Sequence, residues 1–285
     1  MGGTGSTSPD RREPFERGEG RVMVSLGPLH PRRYCTYRCP FCYVQAEYGS
    51  FERLSPDDIV NWIIRQDQDS FDTIYVSGDT DSFAPPRLRE GVELLEKLAG
   101  IDKDLLFTTR APFDFDALDR IARLNDQLRS RNHWLFGCVS IAQFTIPHLE
   151  PHPVPAPLMR IRQLSAFHER GLVAVLALRP FLPNVPLGDY ATILDLSSGS
   201  VDMVLGEDWY ADTEGKLEAA VFRGPPPNLV PITIGQMSFD SNTADWRIYH
   251  LPEHEALVEA ECKKRKLPFF MRSEPALRYW RESHP

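Results

Sequence analysis

The sequence predicts an α/β fold: a partial (β/α)6-type barrel with an irregular C-terminal capping segment. Short apolar stretches alternate with amphipathic helical ones from about residue 21 to residue 210. Strands separated by helices of that size call for a parallel sheet with right-handed crossovers. Six such strands can be counted, short of an eightfold barrel, which typically takes about 250 well-patterned residues. With 285 residues the chain is the size of one large α/β domain.

Residues 1–20 are rich in Gly, Ser, Pro and charge, the composition of a disordered leader. Their start also fits the N-myristoylation pattern at Gly2. The first strand is expected at 22–26. Ser55-Pro56-Asp57-Asp58 then reads as a helix start, with Ser as N-cap, Pro at the first position and acids in the first turn. That helix should run to about Gln66 and bury Ile59, Trp62 and Ile63. Further strands are expected at 73–77, 105–109, 134–141, 173–178 and 201–205, and helices at 86–99, 114–129 and 158–170. From 211 to 250 the pattern degrades around Pro225-Pro226-Pro227, and a helix returns at 253–266. Residues 211–285 are therefore expected to form a lid or cap on the core of 21–210.

The formal net charge of -8 argues against a long nucleic-acid backbone as main partner, because phosphate neutralisation needs clustered Lys and Arg. No apolar run approaches the ~18 residues that span a bilayer, and no signal-peptide core follows the start. The expectation is a cytoplasmic protein without a membrane partner.

Three of the five cysteines lie together in Cys35-x3-Cys39-x2-Cys42. Three thiols at that spacing can share one metal centre and fall one short of the four ligands of a closed structural site. Two readings compete: an iron-sulfur cluster with one iron left open, and a zinc ion with His30 or another residue as fourth ligand. Cys138 and Cys262 show no disulfide-framework spacing. Cys138 shares strand parity with Ser140 and is either a small apolar filler or an inward hydrogen donor.

Cys35-x3-Cys39-x-Phe41-Cys42 resembles the motif of the radical S-adenosylmethionine superfamily. The resemblance implies that Cys35, Cys39 and Cys42 hold a 4Fe-4S cluster whose open iron chelates S-adenosylmethionine. An electron from a donor such as flavodoxin or ferredoxin then yields a 5'-deoxyadenosyl radical that abstracts hydrogen from substrate. Phe41 would lie against the adenine side, with Tyr43 packing similarly. Ser77-Gly78-Asp79-Thr80-Asp81 is similar to the family's Gly-Gly-Glu turn, with one glycine and Asp in place of Glu; a plain polar turn is the other reading. Thr108-Thr109-Arg110 and Ser140 resemble positions that contact methionine or ribose, and alternation makes Ser77, Thr109 and Ser140 candidate inward residues or N-caps.

Asp79-Thr80-Asp81-Ser82-Phe83-Ala84-Pro85, Glu150-Pro151, Arg160 ahead of Gly171, and Pro180-Phe181-Leu182-Pro183 resemble the spore photoproduct lyase-like branch. That branch carries a hydrogen-donating cysteine just before its turn; here Gly78 and Asp79 stand at that place, which argues against thymine-dimer repair. Only Cys262 lies near the C-terminus, too little for an accessory cluster, and no Asp-x-His-x-x-Gly cobalamin signature precedes the cysteines. Arg179 and Glu207-Asp208-Trp209-Tyr210 close strands where barrel chemistry gathers, as substrate readers or as a salt-bridged rim. Arg160 clamps a carboxylate or braces a loop. His148 and His152 flank Glu150-Pro151. The expected substrate is a small molecule under a lid; a peptide or glycyl-radical partner is the alternative, and a non-enzymatic metal module the third reading.

Overall fold

The computed structural model describes residues 15–18, 20–27, 35–45, 54–223, 231–237 and 244–284. Expectations resting on His30, on residues 1–14 of the leader and on Pro225 to Pro227 lie outside the described residues. Strands β1 (Phe15–Gly18) and β2 (Gly20–Val24) form an antiparallel pair. The first lies inside the stretch expected as disordered leader. Its backbone covers the edge of β2, which would otherwise present a row of open N–H and C=O groups.

From β2 the chain runs through α1 (Pro56–Ile64), β3 (Phe71–Val76), α2 (Leu88–Leu98), β4 (Asp104–Thr109), α3 (Phe115–Arg129), β5 (Leu135–Ser140), α4 (Pro157–His168), β6 (Val173–Leu178), α5 (Leu187–Ser197) and β7 (Met203–Gly206). Neighbouring strands from β2 to β7 pair in parallel and in sequence order, as expected for six βα units. The capping-box start expected for α1 is present: Ser55 Oγ accepts from the Asp58 amide at 3.2 Å, and Asp58 Oδ2 accepts from the Ser55 amide at 2.9 Å.

The cap is less irregular than its sequence suggests. Strands β8 (Trp209–Asp212), β9 (Ile232–Gly235) and β10 (Trp246–Tyr249) form a small antiparallel sheet with β10 in the middle, and α6 (Lys216–Phe222) follows β8. Beyond α7 (Pro252–Arg265), strand β11 (Phe269–Phe270) joins β7 as a seventh parallel strand, and α8 (Ser273–Ser283) follows.

Alternation along the strands makes two cores. The outward face packs Ile74, Phe107, Val139 and Leu176 against the helices. The concave face gathers Met23, Tyr75, Leu106, Phe136, Cys138, Val175, Ala177 and Met203, with Ala276 and Leu277 of α8 packed against them. α8 is pinned there by Arg281, whose Nε donates to Asp104 Oδ2 at 2.6 Å. The open side of the half-barrel is thus filled, and the strands' C-terminal ends are left for the site.

Candidate active site

The cysteine loop lies at the C-terminal end of the sheet. The Cys42 amide donates to the Cys39 carbonyl at 3.0 Å and the Gln45 amide to the Cys42 carbonyl at 3.1 Å, turning the loop so that its thiols face inward. Trp209 Nε1 donates to the Phe41 carbonyl at 2.9 Å, and the Tyr43 ring meets Trp246 edge-on at 6.2 Å. The small sheet therefore clamps the loop from outside. Burial pushes the Cys35 thiol up to about 12, with Asp81 adding to the effect, and burial pushes Cys39 higher still. Buried thiols of this kind stay protonated until a metal replaces the proton.

Cys35, Cys39 and Cys42 open onto one cleft together with Phe41, Tyr43, the Ser77 to Asp81 turn, the end of β4, Ser140 and Arg179. Every residue expected to bind the cofactor lines it except Arg160. The turn after β3 is held tightly. Ser77 takes a left-handed φ of 66°, donates its amide to the Val24 carbonyl at 2.9 Å and accepts the Ser82 amide on Oγ at 2.9 Å. Asp79 Oδ1 accepts the Thr80 amide at 2.8 Å and the Ser25 hydroxyl. At Gly78 an added Cβ would stand 3.2 Å from Met23 Sδ and 3.4 Å from the Tyr75 ring, so glycine keeps the backbone open to the cleft.

At the end of β4 the alternation falls one residue from the expected place. Thr108 pairs with Cys138 in the ladder and joins it on the concave face, where its Oγ1 lies 2.9 Å from the Tyr75 hydroxyl. Thr109 points the other way along the pleat, and its Oγ1 donates to Asp81 at 3.1 Å. The packing sets this parity: Leu106, paired with Phe136, lies on the concave face, and Phe107 packs outward.

Asp81 had no assigned role beyond the turn. It is a node: its Oδ2 also accepts the Arg110 amide at 2.7 Å and its Oδ1 the Phe83 amide at 3.0 Å. Burial raises its pKa, and these donors oppose the rise. Behind the cleft, Arg160 donates to Glu150 Oε1 at 2.7 Å and to the Ser140 carbonyl at 2.6 Å. Arg110 Nε reaches the same Oε1 at 3.1 Å, and its guanidinium carbon lies 5.8 Å from the Phe41 ring centre. Arg160 thus braces the end of β5 instead of entering the cleft. Arg179 donates to the Tyr75 hydroxyl at 2.5 Å. Cys138 is fully buried below this layer and does not line the cleft. His148 Nε2 lies 3.3 Å from the Val221 carbonyl, away from the cleft.

Among the described residues no three Cys, His, Asp or Glu side chains converge on a single-ion site. No helix among them is long and apolar enough to cross a membrane.

The Radical SAM superfamily model matches residues 29–196. Solved structures share the fold at low identity. A mutant of spore photoproduct lyase aligns at 13% identity with a TM-score of 0.65, covering 88% of this chain and 82% of that one. Streptococcus suis SuiB bound to S-adenosylmethionine aligns at 13% and 0.56, covering 89% of this chain and 50% of that one. The radical S-adenosylmethionine methyltransferase TsrM from Kitasatospora setae, solved with tryptophan substrate and an S-adenosylmethionine analogue, aligns at 12% and 0.53, covering 85% and 52%. No curated protein matches by sequence. With more than half of its length matched by the family and three cysteines opening onto one cleft at the strand ends, the chain belongs to the radical SAM superfamily and is an enzyme of that class.

Proposed function

We propose that Cys35, Cys39 and Cys42 hold a single 4Fe-4S cluster at which S-adenosylmethionine is reductively cleaved, and that the enzyme abstracts hydrogen from a small-molecule substrate. One observation carries this reading: the three thiols and the strand ends expected to cradle the cosubstrate line the same cleft. The residues suit both groups. A cluster takes its thiolates on different irons, and the three thiols open side by side onto one cleft. The Tyr37 hydroxyl, buried and without a hydrogen-bond partner among the described residues, offers a polar contact on the cleft wall. When bound, the cluster and S-adenosylmethionine supply a 5'-deoxyadenosyl radical once a reductant such as a flavodoxin or ferredoxin has delivered one electron.

The chain's residues orient and shield. The Gly78 backbone and the Asp79 carboxylate would take the cosubstrate's amino group, with Ser77 and Thr80 shaping that turn. Phe41 and Tyr43 would pack on the adenine side. Thr109 and Arg110 would set the wall opposite through Asp81, and Ser140 the edge nearest β6. Trp209 and the small sheet cover the cysteine loop, which favours a small substrate over a docked protein and keeps water from the reacting atoms. The expectation that nucleic acid is no partner gains nothing from the fold likenesses, since spore photoproduct lyase is solved with a dinucleoside spore photoproduct.

Anaerobic reconstitution with iron and sulfide tests the reading. A brown protein that, once reduced, converts S-adenosylmethionine to 5'-deoxyadenosine is the expected result, with Cys35→Ala, Cys39→Ala or Cys42→Ala abolishing colour and cleavage together. A colourless zinc protein after the same treatment would sink it.

A further inference from the structure

A second cavity adjoins the cleft on the concave side of the half-barrel. It shares Tyr43, Gly78, Arg179, Glu207, Asp208 and Tyr210 with the cleft, so the two meet along these residues. Its inner side is formed by Arg21 and Tyr75, and its far rim by residues 271–274.

The charges lining this chamber are unequally engaged. Arg21 is buried and held by Glu274, 2.8 Å from its guanidinium, and by Ser273. Arg179 is engaged by the Tyr75 hydroxyl and, at 3.4 Å, by Thr108. Arg21 and Arg179 therefore hold their places with protein partners, and a third cation, Arg272, stands exposed at the rim.

Glu207 differs. It leaves the end of β7 between the two arginines, yet no side chain or backbone group among the described residues hydrogen-bonds its carboxylate. Only its carbonyl is used, accepting the Phe181 amide at 2.8 Å. Asp208 beside it has one oxygen on His250 Nδ1 at 2.9 Å. Burial pushes the Glu207 carboxyl up, and Arg179 and Arg21 only oppose that rise. A half-buried carboxylate short of donors is costly, and a ligand that brings N–H donors and positive charge relieves the cost. Both acids stand where the two cavities meet, so a group held by them lies beside the cofactor. A phosphate at the junction would face Glu207 and Asp208, while Glu255 and Arg272 elsewhere in the lining offset each other in charge.

We propose that this chamber is the substrate site and that it selects a small molecule carrying a protonated amine, which Glu207 and Asp208 hold at the junction with the cleft. The proposal rests on the cleft being the S-adenosylmethionine site, and the two can fail separately.

The test uses the full-length, reconstituted and reduced protein with S-adenosylmethionine, measuring 5'-deoxyadenosine. The probes are the free proteinogenic amino acids, putrescine and cadaverine, set against their N-acetylated forms and the dinucleotide TpT. The expected result is that at least one amine probe raises 5'-deoxyadenosine formation tenfold or more, while its N-acetyl form does not. Glu207→Gln should raise the concentration for half-maximal stimulation by tenfold or more, and Glu207→Asp, which keeps the charge, should stay within threefold of wild type. Cleavage that no amine probe stimulates overturns the substrate class, as does equal stimulation by the acetylated form, stimulation by TpT alone, or an unaltered response in Glu207→Gln. Absence of 5'-deoxyadenosine from wild type under every condition overturns the cleft reading, and this one with it.

Discussion

Replacing Arg160 with Met removes the guanidinium shared by Glu150 and the Ser140 carbonyl while keeping an unbranched chain of similar reach. Both charged side chains are 1% exposed, so water cannot take over the lost bonds. Breaking a buried pair by deleting one partner costs about 3–5 kcal/mol. Arg110 at 3.1 Å and Gln143 at 3.1 Å remain on Glu150, which puts the expected loss near the lower end, about 3 kcal/mol. For a chain of 285 residues, an unfolding entropy of about 2.1 cal/mol/K per residue converts this to a Tm lower by about 5 °C. Scanning calorimetry at pH 7 reads the shift. Glu150→Gln combined with Arg160→Met should cost less than the two single substitutions summed, because both break the same pair. The pH dependence has a definite sign. Burial pushes Glu150 up, but Arg160 and then Arg110 outweigh it and hold the carboxyl below its ordinary value. Its stabilising contribution is therefore complete above the unfolded pKa of about 4.3 and is lost as pH falls through the lower folded one. In Arg160→Met the acid-side loss should begin at higher pH. A Tm change of about 1 °C or less, far below the shift worked out above, or a double variant as unstable as the two single ones summed, would refute the reasoning.

Other substitutions probe the cleft. Gly78→Val should crowd Met23 and Tyr75 and weaken S-adenosylmethionine binding roughly tenfold, about 1.4 kcal/mol, read by equilibrium dialysis on reconstituted protein. Ser77→Ala loses the bond to the Ser82 amide and keeps the left-handed backbone, so it should cost about 1 kcal/mol; Ser77→Gly should be milder, because glycine carries no penalty there. Trp209→Phe removes the indole donor to Phe41 and should lower stability by about 1 kcal/mol; its reconstituted colour should bleach faster in air than wild type's.

The parallel strands and the cysteine loop were legible because both are local signals. β4, β5 and β6 are apolar on both faces, as strands of a parallel sheet must be when helices cover one side, and the cysteines declare themselves by spacing. The facing of Thr109 was not legible because Leu105-Leu106-Phe107 is apolar at consecutive positions, and only the pairing of Leu106 with Phe136 and Thr108 with Cys138 decides which of them face the concave side. The sheet of β8, β9 and β10 and the closing helix α8 were missed for a related reason. Their apolar residues are few, and each finds its partner far along the chain, as Trp209 does with Phe41. Asp81 as a node, and Arg21 beside Glu274, likewise exist only once the sheet has closed.

That last pair has a kinetic meaning. Arg21 and Ser273 stand 252 positions apart in the chain, so the inner chamber belongs to the highest-separation contacts of the fold, and its closure carries the largest loop entropy. The backbone bonds that turn the cysteine loop run only among Cys39, Cys42 and Gln45, and Trp209 joins it from 168 positions away. Turning of the thiol loop and closure of the chamber therefore draw on contacts of different reach, the first begun within a short loop and the second spanning nearly the whole chain.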